Sequence, residues 1–64
     1  MEHLKKLTSE RAKVRLSYID ERGYGDIVEG YINDAHTYGI LFQQDGETQP
    51  VYIYHHRIVA IKKI

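Results

Sequence analysis

From Lys13 onward the apolar residues of this chain recur at every second position, in five short runs cut apart by glycine, asparagine, aspartate and histidine clusters. Side chains in a strand alternate between two faces, so this period is the pattern of a half-buried strand. Val14, Leu16 and Tyr18 share one face of the first run, with Arg15 and Ser17 on the other. The second run, about 26–34, sets Val28, Gly30 and Ile32 against Glu29, Tyr31 and Asn33. The third, about 37–43, sets Tyr38, Ile40 and Phe42 against Gly39 and Leu41. Pro50-Val51-Tyr52-Ile53-Tyr54 is a fourth short strand and Ile58-Val59-Ala60-Ile61-Lys62 a fifth. Turns are predicted at Asp20–Gly25, Asn33–His36 and Gln44–Glu47, with His55-His56-Arg57 breaking the alternation between the last two strands. Gly30, inside a strand, has no side chain to pack and marks a sharp bend or a close backbone approach. Before the strands, Leu4, Leu7 and Arg11 fall at helical spacing. So short a helix is unstable alone and has to dock on the rest of the fold. The expected fold class is mostly β: one short N-terminal helix and a five-stranded, strongly bent antiparallel barrel forming a single domain over residues 1–64.

Size limits what such a fold can do by itself. A chain of 64 residues buries only about 60% of its unfolded surface, so its stability is marginal without help. There is no cysteine, which excludes disulfides and thiolate metal sites and leaves self-association as the favoured helper. The segment Met1-Glu2-His3-Leu4-Lys5-Lys6-Leu7 lacks the apolar core of a signal peptide. No apolar run approaches the roughly 20 residues of a membrane span, so a cytoplasmic protein is expected. The formal charge is zero but unevenly spread. Residues 1–16 carry +3 (Lys5, Lys6, Arg11, Lys13 and Arg15 against Glu2 and Glu10). Residues 55–64 carry +3 from Arg57, Lys62 and Lys63, and the middle carries −6. Basic ends and an acidic middle either segregate onto different faces or form an ordinary mixed surface.

No catalytic arrangement is visible. The chain has no glycine-rich phosphate loop with a lysine, and no cysteine nucleophile. Ser9 and Ser17 have no evident base partner, and no recognisable motif places a pair of carboxylates. Imidazoles bind zinc, which makes His36, His55 and His56 a conceivable set, but they lack metal-ligand spacing. A binding module is expected, without cofactor or metal, and not an enzyme.

Pattern alone does not separate an SH3-like from an Sm-like barrel. Tyr54-His55-His56-Arg57-Ile58-Val59-Ala60-Ile61 resembles the second Sm motif of the bacterial RNA chaperone family Hfq, Tyr-Lys-His-Ala-Ile followed two residues later by Ile. Gly30-Tyr31-Ile32, then His36-Thr37-Tyr38 and the apolar run 40–42, resembles the first Sm motif. Leu4, Leu7, Glu10-Arg11 and Val14 match the family's N-terminal helix entering its first strand. The resemblance covers nearly the whole chain. It departs at the longer turn around Arg22 to Gly25, at the longer loop around Glu47 to Gln49, and at His36 and His55, where the family has aspartate and lysine. The arginine-rich patch at the helix end is reduced to Arg11. The longer first turn and the final strand also look like the YolD-like family, whose members are thought to share an Sm-like barrel.

The resemblance implies a ring, by family a hexamer, that binds single-stranded, U-rich RNA at its pore face as an RNA chaperone or riboregulator. It makes His55 and His56 pore-lining and Tyr38 a stacking platform, with Arg11 and Lys13 as a rim contact for phosphates. It pairs the fourth strand of one subunit with the fifth of the next, through Val51, Ile53, Tyr54, Ile58 and Ala60. Each role has a plainer counterpart. Tyr38 is otherwise a core or rim tyrosine, the histidines are turn residues, and Arg11, Lys13 and Arg15 are solvated charge. The corresponding alternative is an Sm-like or SH3-like protein-interaction module without RNA binding.

Overall fold

The structure is a computed structural model that describes residues 2–64. Helix α1 (Glu2–Ser9) leads into β1 (Val14–Ile19), β2 (Gly25–Ala35), β3 (Gly39–Gln44) and β4 (Val51–Tyr54). A 3-10 turn, His55–Arg57, then delivers the chain into β5 (Ile58–Lys63). All strand pairs are antiparallel, in the order β4-β3-β2-β1-β5. The sheet is therefore open within the chain. β4 pairs only with β3 and β5 only with β1, so each presents one unpaired edge.

The period-two pattern selects the core. Val14 and Leu16 of β1, Val28 and Ile32 of β2, Ile40 and Phe42 of β3, and Ile53 of β4 are buried together. Leu4 and Leu7 place α1 on this surface, and Ala12 closes the junction. Burying a leucine side chain contributes roughly 1.5–3 kcal/mol, which compensates for the low intrinsic stability of an eight-residue helix. The helix ends in a Schellman arrangement: Ala12 N–H donates to Leu7 C=O at 3.1 Å and Arg11 N–H to Thr8 C=O at 3.1 Å. Arg11 takes φ 51° to make it, the only non-glycine residue with positive φ among those described.

Gly30 is a close approach of main chains. A Cβ there would lie 2.9 Å from both Gln43 C and Gln44 Cα, and nearer still to the Gln43 carbonyl oxygen. The β2–β3 register shifts between Ile32 and Asp34, a bulge that bends and twists the strand locally. Because of it, β2 continues through Asp34 and Ala35, paired with Leu41 and Ile40, where the sequence pattern predicts a turn at Asn33–His36. The turn proper is shorter, and β3 starts at Gly39 rather than at Thr37.

The basic ends do not segregate from the acidic middle. Lys13 pairs with Asp45, Arg15 with Glu29 at 2.8 Å, and Lys63 with Glu10 at 3.4 Å. The first two pairs join the basic N-terminal segment to the acidic middle, and the third joins the two ends, so the surface is mixed. Among the described residues no helix is long and apolar enough to cross a membrane.

Candidate nucleic-acid interface

Two turns meet at one end of the sheet. The β2–β3 turn carries His36 and Tyr38, and the 3-10 turn after β4 carries His55 and His56. They are tied by main chain, His55 N–H donating to the Tyr38 carbonyl at 2.9 Å. The His55 ring adds a second tie, its Nε2 lying 2.9 Å from the His36 carbonyl oxygen. A carbonyl only accepts, so this bond needs the proton on Nε2. Tyr38, 17 positions earlier in sequence, thus lies beside His55, with its side chain free of the core at 76% exposure. The core alternative for Tyr38 is excluded by that exposure. Its place in the turn ahead of β3, outside the strand pattern, is the physical reason.

The outer face of β4 continues the same surface. Tyr52 and Tyr54 are two apart and point away from the core, while Ile53 between them points in at 6% exposure. Four rings are in sequence: His36 to Tyr52 at 6.0 Å, Tyr52 to Tyr54 edge-to-face at 5.1 Å, and Tyr54 stacked on His56 at 5.7 Å. These separations and tilts are those of attractive ring pairs. Tyr52 is a residue that sequence reasoning did not single out. Its period-two spacing from Tyr54 was the available signal, but its contact with His36 comes from tertiary structure.

A cleft of about 580 Å³ opens beside β4, between Val51–Tyr54, Arg57, the end of β1 at Tyr18 and Ile19, and the β1–β2 turn at Asp20–Arg22. Asp20 organises that turn. Its Oδ1 accepts the N–H groups of Tyr24 and Arg22, each at 2.9 Å. The bond from Tyr24 leads the effects that hold the Asp20 carboxyl below its ordinary range, joined by the Arg22 N–H and guanidinium. Arg57 Nη1 donates to the Asp20 carbonyl at 2.7 Å, fastening the 3-10 turn to the β1–β2 turn. Tyr18, also in the cleft, has its hydroxyl pKa pushed up, first by burial and then by Asp26 and Asp20.

The other candidate residues are dispersed. Arg11 caps the helix end, and Lys13 is held by Asp45, whose hydrogen bond is the main reason its ammonium pKa is raised. Val51 and Tyr54 are exposed on the β4 edge strand, whereas Ile53 belongs to the chain's own core. Ala60 is exposed and Ile58 half-buried on β5. Among the described residues, no group of three or more histidine, aspartate or glutamate side chains is placed to hold a metal ion. No protein-family model matches the chain, and no curated protein matches it.

Proposed function

We propose that the chain is an Sm-like, ring-forming RNA-binding protein, a binding module and not an enzyme, that takes single-stranded, U-rich RNA on Tyr38, His55 and His56. The observation that carries this reading is the junction of the two turns. It ties the turn that carries the exposed Tyr38 to the turn that carries His55 and His56 through two hydrogen bonds to main-chain carbonyls, each 2.9 Å. A base stacked on an aromatic side chain gains about 1–3 kcal/mol. His56 can donate to a base edge, a 2′-hydroxyl or a phosphate, while His55, whose Nε2 proton goes to the His36 carbonyl, presents Nδ1 as an acceptor. Two features support the ring. The strand order leaves β4 and β5 as the unpaired edges, and such edges invite pairing with another chain. The cleft along β4 offers space for an added strand. Repeated around a ring, modest single-site affinity multiplies through effective concentration.

One observation favours the alternative, a protein-interaction module of the same fold without RNA binding. Lys13 and Arg15 are engaged by Asp45 and Glu29, which withdraws two neighbouring cations from phosphate. The test is a solution mass together with an oligouridine titration of the parent and of Tyr38→Ala. Because Tyr38 is exposed and its tie to His55 is main chain, the variant should keep its melting temperature, as most surface changes do. The RNA-binding reading expects its affinity to fall about 5- to 150-fold, the equivalent of one lost stack. A monomer at micromolar concentration without oligouridine affinity selects the protein-interaction module.

A further inference from the structure

We propose that Tyr52, flanked by His36, is a second base-stacking position, so that a single strand runs from the Tyr38 site along the outer face of β4. The proposal rests on the RNA-binding reading and extends it to residues that reading does not use. Tyr52 is held in place before any ligand arrives. Gly39 has no side chain, and a Cβ there would stand 2.8 Å from two carbons of the Tyr52 ring and 2.5 Å from the Ile53 carbonyl oxygen. The ring therefore lies against bare main chain, with Tyr54 in edge-to-face contact at 5.1 Å and His36 at 6.0 Å. A ring fixed in this way loses little freedom on binding. It remains 42% exposed, and Tyr54 50% exposed.

The row is continuous with the Tyr38 site at both ends. His36 belongs to the turn that carries Tyr38, and His56 to the turn that carries His55. Lys5 and His36 line a hollow of about 430 Å³ between α1 and the β2–β3 turn, together with Leu4, Ala35 and Thr37. A phosphate between successive stacked bases would find a cation there. Asp34 approaches this end as the partner of His36 at 3.3 Å. Strand addition at the β4 edge would use main-chain groups in the plane of the sheet, whereas Tyr52 and Tyr54 stand off its face. Ring formation and stacking on the row are compatible. Tyrosine rows also receive proline-rich peptides. The imidazoles at the two ends and Lys5 at the His36 end favour a phosphate-bearing strand instead.

The test uses the intact chain with oligouridines of about 4 and about 12 nucleotides, lengths that bracket a single small-barrel site. The chain has six tyrosines and no tryptophan, so quenching of tyrosine emission reports stacking directly. Three variants are compared with the parent: Tyr52→Leu, which keeps apolar bulk but removes the π face, Tyr52→Phe, and Tyr38→Ala. The expected result is that Tyr52→Leu binds the longer oligonucleotide about 5- to 150-fold more weakly, binds the shorter one like the parent, and keeps its oligomeric state. Tyr52→Phe should bind both like the parent. Equal affinity of Tyr52→Leu and parent for the longer strand, with Tyr38→Ala weakened, overturns the second position and leaves the Tyr38 site standing. A parent that binds neither oligouridine, or a proline-rich peptide that binds the row and is not displaced by oligouridine, overturns the proposal. The first of these results also removes the RNA-binding reading.

Discussion

Replacing Gly30 by alanine adds one methyl group at the point where β2 and β3 come closest. The added carbon would meet Gln43 C and Gln44 Cα at 2.9 Å, both main chain, so no flexible side chain can swing aside. Ordinary contact begins at 3.4 Å, and the Gln43 carbonyl oxygen lies closer than either carbon, so the strands must part by more than half an ångström. Overpacking of this kind costs about 1–3 kcal/mol. Stretching one or two ladder hydrogen bonds costs about 1 kcal/mol each. A total near 3 kcal/mol is large against the roughly 3–10 kcal/mol expected for a domain of this length. At about 4–8 °C per kcal/mol, Gly30→Ala should lower Tm by about 12–24 °C. Gly25→Ala is the control, because nothing lies within 4 Å of the Cβ it would add and its φ is outside the left-handed region. It should leave Tm unchanged or raise it slightly through the unfolded state. Melting is followed by circular dichroism at one fixed protein concentration, since self-association would make Tm concentration-dependent. A Gly30→Ala variant melting within about 4 °C of the parent would refute the close approach.

Three further outcomes are expected. Arg11→Gly relieves a left-handed conformation that costs a non-glycine residue about 1–2 kcal/mol, offset by the greater unfolded freedom of glycine, so the variant should melt a few degrees higher. No gain would mean that the helix end does not adopt φ 51° in solution. Asp20 has its pKa lowered by the Tyr24 N–H first and then by Arg22. The stability it contributes is present above the ordinary carboxylate range and is lost as pH falls through its lowered value. Asp20→Asn should therefore flatten the acid limb of the stability–pH curve, and an unchanged limb would count against the capped turn. Removing the Arg57 guanidinium leaves the Asp20 carbonyl without its 2.7 Å donor, so Arg57→Ala should cost about 1–2 kcal/mol, read by urea denaturation. A neutral result would detach the 3-10 turn from the β1–β2 turn.

The alternation of apolar residues by itself determined the elements and the core. Val14, Leu16, Val28, Ile32, Ile40 and Phe42 could be assigned to one face without coordinates, because the two-residue period of a strand is a local property. Gly30 could likewise be marked as a constrained position, although only the Gln43–Gln44 main chain beside it shows what the constraint is. The β2 end was misread because a bulge between Ile32 and Asp34 carries pairing through residues whose composition favours a turn. Composition reports local preference, and the ladder to Leu41 and Ile40 outweighs it. Charge was legible as a sum but not as a pattern. Part of the +3 N-terminal segment was matched to the −6 middle once antiparallel register set Arg15 opposite Glu29. The surface around Tyr38 was divided in the same way. The ring types were evident from sequence, whereas the row from His36 through Tyr52 and Tyr54 to His56 required tertiary structure. Its members come from a turn, a strand face and a 3-10 turn, and only packing of β4 on β3 brings side chains 16 residues apart, His36 and Tyr52, to 6.0 Å.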